Sequence, residues 1–149
     1  METSNLSVNL KHRGDTVILG QTRNHTVLID RPKVKGGSDA GPMGGEYLLL
    51  SLGGCFFSTL LAAYKADYDE FPGESIEIMV SGALVSAPTR FSAFTVSVYA
   101  SIALKEKLAK ALLKAERGCI VHNTLRSSAP VRFEYSWVDS RAFPSLITA

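Results

Sequence analysis

The stretch Tyr47–Tyr64, YLLLSLGGCFFSTLLAAY, contains no charged residue, and it constrains this chain more than any other segment. Extended to about Met43–Lys65, it sets apolar side chains at helical spacing on nearly every face. A helix of that kind has to be covered all round, by lipid or by protein. Its uncharged stretch reaches the ~18 residues at which a membrane span becomes a candidate. Ser51, Gly53, Gly54, Ser58, Thr59 and two alanines dilute it, however, and the chain has no second candidate. We read it as a buried helix of a soluble protein. A chain of 149 residues buries roughly two-thirds of its unfolded surface, and only one other substantial helix is legible. A second copy of the chain is therefore expected to cover one face.

Around this helix the pattern is mostly strand. Residues 6–10 (LSVNL) and 16–19 (TVIL) flank a turn at His12–Gly14–Asp15, and residues 24–29 (NHTVLI) supply a third short strand. RPKVKGGSDAGPMGGE, residues 31–46, is rich in glycine and proline. It reads as a long loop of the kind that often carries function. Residues 75–86 and 91–102 alternate with period two around Ala87–Pro88–Thr89–Arg90 and form a long antiparallel hairpin. Lys105–Arg117 is an amphipathic helix with Leu108, Ala111, Leu112 and Ala115 on one side, and Gly118 suits its C-cap. A short helix over Cys119–Arg126 and a last strand over Val131–Val138 complete an α+β order with antiparallel sheet, in a single domain spanning 1–149.

The net charge is only +2 and the basic residues are scattered, which weighs against nucleic acid as a partner. The short cluster Arg31, Lys33, Lys35 reads as a solvated loop. The N-terminus lacks a signal-peptide pattern, so a cytoplasmic location is expected. In that compartment two cysteines do not make a structural disulfide framework.

The chain carries no Walker loop, dinucleotide fingerprint, zinc-protease motif or nucleophile elbow. Cys119 and His122 are spaced C-x2-H, and Cys55 could join them, but structural zinc wants four ligands, usually in two close pairs. No metal and no cofactor are expected. Thiol chemistry remains, with plain packing as the alternative for both cysteines. A reactive cysteine must be a thiolate, favoured by a cation or a helix N-terminus. Cys119 opens a helix, so local sequence favours it as the low-pKa thiol. Cys55 sits deeper in an apolar helix, where burial raises the pKa unless a cation is brought in.

Three features together resemble the OsmC/Ohr superfamily of osmotically inducible and organic hydroperoxide resistance proteins. They are GPMGGEYLLLSLGGC (41–55), AERGCIVHNTL (115–125) and the order helix, long hairpin, helix between them. The resemblance implies antiparallel sheets wrapped around central apolar helices in an intertwined homodimer. It implies a thiol-dependent peroxidase acting on organic hydroperoxides or hydrogen peroxide, reset by an external dithiol such as a lipoylated protein. Cys55 becomes the peroxidatic thiol, Cys119 the resolving thiol, and Glu46 the residue that helps hold an activating arginine. Arg31 is the nearest equivalent of that arginine, and Arg23 the fallback. Glu46 and Cys55 are nine residues apart, ~13.5 Å along a continuous helix. Either the helix begins late, or Glu46 serves the Cys55 of the other subunit, which is the expectation. The competing reading is a non-enzymatic dimer that binds a small hydrophobic ligand or senses oxidants through the same cysteines.

Overall fold

Two units make up the computed structural model, Met1–Leu48 and Leu49–Ala149. Residues 1–71, 75–139 and 147 are described.

The first unit is a three-stranded antiparallel meander, β1 (Asn9–Gly14), β2 (Val17–Thr22) and β3 (His25–Ile29), in the order β1-β2-β3. β1 starts later than its apolar alternation suggests. Leu6 and Val8 stay exposed, and pairing begins where Asn9 meets Gln21. The chain then turns through Gly14 and Asp15, both at positive φ. After β3, the glycine-rich segment is an ordered loop containing one 3-10 turn, Lys33–Lys35.

Helix α1, Gly44–Lys65, is uninterrupted. Leu52, Phe56, Leu60 and Tyr64 recur every fourth residue and are its buried stripe. It is long and apolar enough to cross a membrane by length and composition.

In the second unit β4 (Ile76–Val85) and β5 (Arg90–Ser101) form the expected antiparallel hairpin. Phe94, Val96, Val98 and Ala100 on β5 alternate into the core. Helix α2 (Lys105–Gly118) buries the four residues that periodicity assigns to its inner face. The short helix α3 (Ile120–Leu125) follows, then β6 (Val131–Val138). β6 pairs with β5 in parallel, from Phe94 with Val131 to Ser101 with Val138. The all-antiparallel expectation is corrected at this pairing. Two helices between β5 and β6 carry the chain back to the end where β5 began, and a crossover of that length is what parallel neighbours need. Among the described residues the fold is α+β with two sheets, and the α+β class agrees with the sequence reading.

α1 packs on this second sheet. The Phe56 ring lies 4.9 Å from that of Phe133 on β6. A Cβ built on Gly53 would stand 2.8 Å from Val80 Cγ2 on β4, so only glycine lets the helix this close to the strand.

Candidate functional site

Cys55 lies in the middle of α1 and Cys119 at the junction of α2 and α3. Both are free thiols, and they approach to 3.3 Å. Beside them the C-terminal end of α2 comes down on α1. A Cβ on Gly118 would meet Thr59 Cγ2 at 3.1 Å. Gly118 thus serves close approach rather than a left-handed C-cap. It is the last residue of α2, and the cap falls to Cys119 in extended conformation.

Cys119 ends one helix and starts the next. Its N–H donates to the Ala115 carbonyl at 3.0 Å, and its sulfur accepts the His122 N–H at 3.4 Å. The side chain is fully buried. Burial pushes the thiol up from its ordinary range, and the neighbouring Cys55 adds to this. The His122 N–H pulls the other way and loses. The local reading that favours Cys119 as the low-pKa thiol is therefore corrected, because desolvation outweighs the helix start. Cys55 is only partly buried, and a side chain at the adjacent Gly54 would find open space. Of the two sulfurs, Cys55 is the one within reach from outside.

Aromatic rings pack against the helices that carry the thiols. The His122 ring stands edge-on to Phe133 with centroids 5.0 Å apart. Its Nδ1 lies 2.7 Å from the Glu116 carbonyl, so that nitrogen carries the proton. The Tyr135 hydroxyl donates to the Glu116 carboxylate. Burial, and then that carboxylate, push the phenol well above its usual range.

Glu46 belongs to the first turn of α1, where its carboxylate accepts the Met43 N–H at 2.7 Å. This is the reach-back half of a capping box. Since α1 begins at Gly44, the alternative of a late helix start is gone. Arg31 sits in the loop after β3 and lines a cavity of about 400 Å³ with Thr16, Ile18, Ile29, Lys35 and Met43. Arg23 is exposed in the tight turn between β2 and β3, at a φ of 51°. Among the described residues, no group of three or more His, Cys, Asp or Glu side chains is placed to hold a metal ion.

One residue escaped the sequence reading. Asp30 is only 2 % exposed, and five donors converge on its carboxylate. The Thr16 hydroxyl and the Arg31 N–H (2.7 Å) reach Oδ1. Oδ2 accepts the Ser38 N–H (3.1 Å), the Ser38 hydroxyl (2.9 Å) and the Ala40 N–H (3.0 Å). These bonds hold the carboxyl far below the usual carboxylate range, the Ala40 N–H contributing most. The available signal was an Asp directly ahead of a Pro- and Gly-rich loop, where such side chains gather backbone N–H groups.

The OsmC-like protein family model matches residues 36–134 of the chain. No curated protein matches the sequence. Solved structures do match in fold. An OsmC-like protein from Mycoplasma pneumoniae superposes with a TM-score of 0.73 at 16% identity, covering 92% of this chain and 99% of its own. A putative osmotic stress induced and detoxification response protein from Psychrobacter arcticus 273-4 gives 0.72 at 15%, covering 90% and 98%. The organic hydroperoxide resistance protein OhrB of Bacillus subtilis gives 0.61 at 19%, covering 89% and 98%.

Proposed function

This chain belongs to the OsmC-like protein family, and from that membership we propose that it is a thiol-dependent peroxidase in which Cys55 attacks the peroxide and Cys119 resolves the product. The observation that carries this reading is the 3.3 Å approach of a partly exposed thiol to a fully buried one. The Cys55 thiolate attacks one peroxide oxygen and the O–O bond breaks. The leaving oxygen takes a proton to become an alcohol or water, and Cys55 is left as sulfenic acid. The Cys119 thiol then displaces that hydroxyl as water, forming a disulfide. From 3.3 Å the sulfurs have little distance to close before reaching the ~2.05 Å of a bond. An external dithiol reduces the disulfide by two exchanges and closes the cycle. The proposed location is the cytoplasm, whose reducing pool suits a resting state with two free thiols.

The working unit in this reading is a homodimer. α1 buries one stripe within the chain, while Leu50 elsewhere on the helix is 59% exposed. A second copy supplies the missing cover. Arg31 and Glu46 are assigned to the activation of Cys55, Arg31 as the cation that favours the thiolate and Glu46 as its support, acting on the Cys55 of the other protomer.

The test is consumption of cumene hydroperoxide and of hydrogen peroxide with a dithiol reductant. Sustained turnover that Cys55→Ser abolishes is the expected result. A single stoichiometric oxidation that never recycles would overturn the enzyme in favour of an oxidant sensor.

A further inference from the structure

Resting on that reading, we infer that Asp30 is a positioning residue for the reaction, holding the loop that presents Arg31. The geometry is lopsided in a telling way. Four of the five groups bonded to the Asp30 carboxylate come from the loop itself, namely the N–H groups of Arg31, Ser38 and Ala40 and the Ser38 hydroxyl. Among the described residues, only the Thr16 hydroxyl comes from outside, immediately before β2. One buried carboxylate thereby ties both ends of the loop to the sheet.

The backbone closes the same ring. The Asp39 N–H donates to the Arg31 carbonyl at 3.0 Å and the Asp30 N–H to the Pro42 carbonyl at 3.2 Å. A Cβ on Gly37 would fall 1.9 Å from the Arg31 oxygen, so the loop folds tightly against the residue it carries. With its acceptor sites filled by five donors, Asp30 needs no salt bridge to Arg31. Among the described residues, Arg31 forms no ion pair, and it lines the 400 Å³ cavity together with Asp30. An arginine kept off its neighbouring aspartate is a cation left available for another group. The loop is thus a built mount for a positive charge, rather than the solvated tether its composition suggests.

Four proteins test this: wild type, Asp30→Asn, Arg31→Ala and the double variant. Each is assayed for kcat/KM on cumene hydroperoxide with a dithiol, and for the pH midpoint of Cys55 alkylation. If Asp30 acts through Arg31, Asp30→Asn loses activity about as far as Arg31→Ala, on the order of ten-fold for one unit of thiol pKa. Both variants shift the alkylation midpoint upward, and the double variant is no worse than Arg31→Ala alone. Losses that multiply in the double variant, or an Asp30→Asn enzyme within two-fold of wild type, overturn the inference. If Asp30→Asn fails to fold by circular dichroism, Thr16→Val and Ser38→Ala each remove a hydroxyl donor and leave the carboxylate. A graded loss of kcat/KM through these two supports the mount, and wild-type rates in both overturn it. If Arg31→Ala itself keeps the wild-type rate, Arg31's assignment fails and the inference falls with it. Loss in Arg31→Ala with none in Asp30→Asn removes the inference alone.

Discussion

Gly118 meets Thr59 so closely that a Cβ at position 118 would lie 3.1 Å from the threonine methyl, and the cysteine that follows is thereby set against Cys55 on the same helix as Thr59. A bulkier residue at 118 must push α2 away from α1. Gly118→Val is expected to slow peroxide-induced disulfide formation while leaving Cys55 alkylation unchanged. Quenched-flow thiol counting separates the two steps, and a variant that forms the disulfide at the wild-type rate refutes this role of Gly118.

The two thiols differ in access, and labelling should follow. In the native reduced protein, iodoacetamide is expected to modify Cys55 well before Cys119, which is fully buried with its pKa raised by that burial. Peptide mass spectrometry after timed quenching reads the order, and labelling in denaturant should erase the difference.

Asp30 makes a prediction about acid. Its carboxyl is held below the ordinary value of 3.8, so the unfolded chain binds this proton more readily than the folded one. The resulting stability is complete above the ordinary value and is lost as the pH falls through the lower folded value. Urea midpoints are expected to drop between about pH 4 and 2, and Asp30→Asn to start lower and lose this part of the acid dependence.

Phe56 is fully buried and its ring packs 4.9 Å from that of Phe133. Phe56→Ala is expected to cost about 3–5 kcal/mol, as large-to-small core changes do, with Phe56→Leu costing markedly less. Equilibrium denaturation of both variants checks the order.

Uninterrupted α1 places Glu46 and Cys55 nine residues apart on one helix. Mixed dimers with Glu46→Ala on one chain and Cys55→Ser on the other locate the glutamate's partner. If Glu46 serves the other subunit's thiol, the one remaining Cys55 faces the intact glutamate of its partner and about half of the activity survives. Loss of activity would assign Glu46 to its own chain.

How much of this was legible in sequence depends on the range of the interaction. α1, the β4–β5 hairpin and the inner face of α2 follow from local periodicity, which burial enforces residue by residue. The parallel β5–β6 pairing does not, because nothing in VRFEYSWV says which way its partner runs. Leu6 and Val8 have the alternation of a strand, yet pairing of β1 begins only at Asn9. Cys55 and Cys119 carry a family pattern, but only the packing of α2 on α1 brings them together. The role of Asp30 rests on donors folded around it, which the residues beside it in sequence do not specify.

The parallel pairing of β6 with β5 also bears on when the thiols can meet. Strands 4 and 5 can zip up locally, whereas β6 must wait until the long connection through both helices has been closed, an entropic cost met before any ladder bond repays it. Cys119 lies within that connection. A chain still emerging from the ribosome, or one trapped before the crossover docks, would hold its two sulfurs apart. On the chemistry proposed above, oxidative stress then becomes a folding hazard for such a chain: a sulfenic acid formed at residue 55 would have no neighbour to resolve it and would be open to irreversible oxidation.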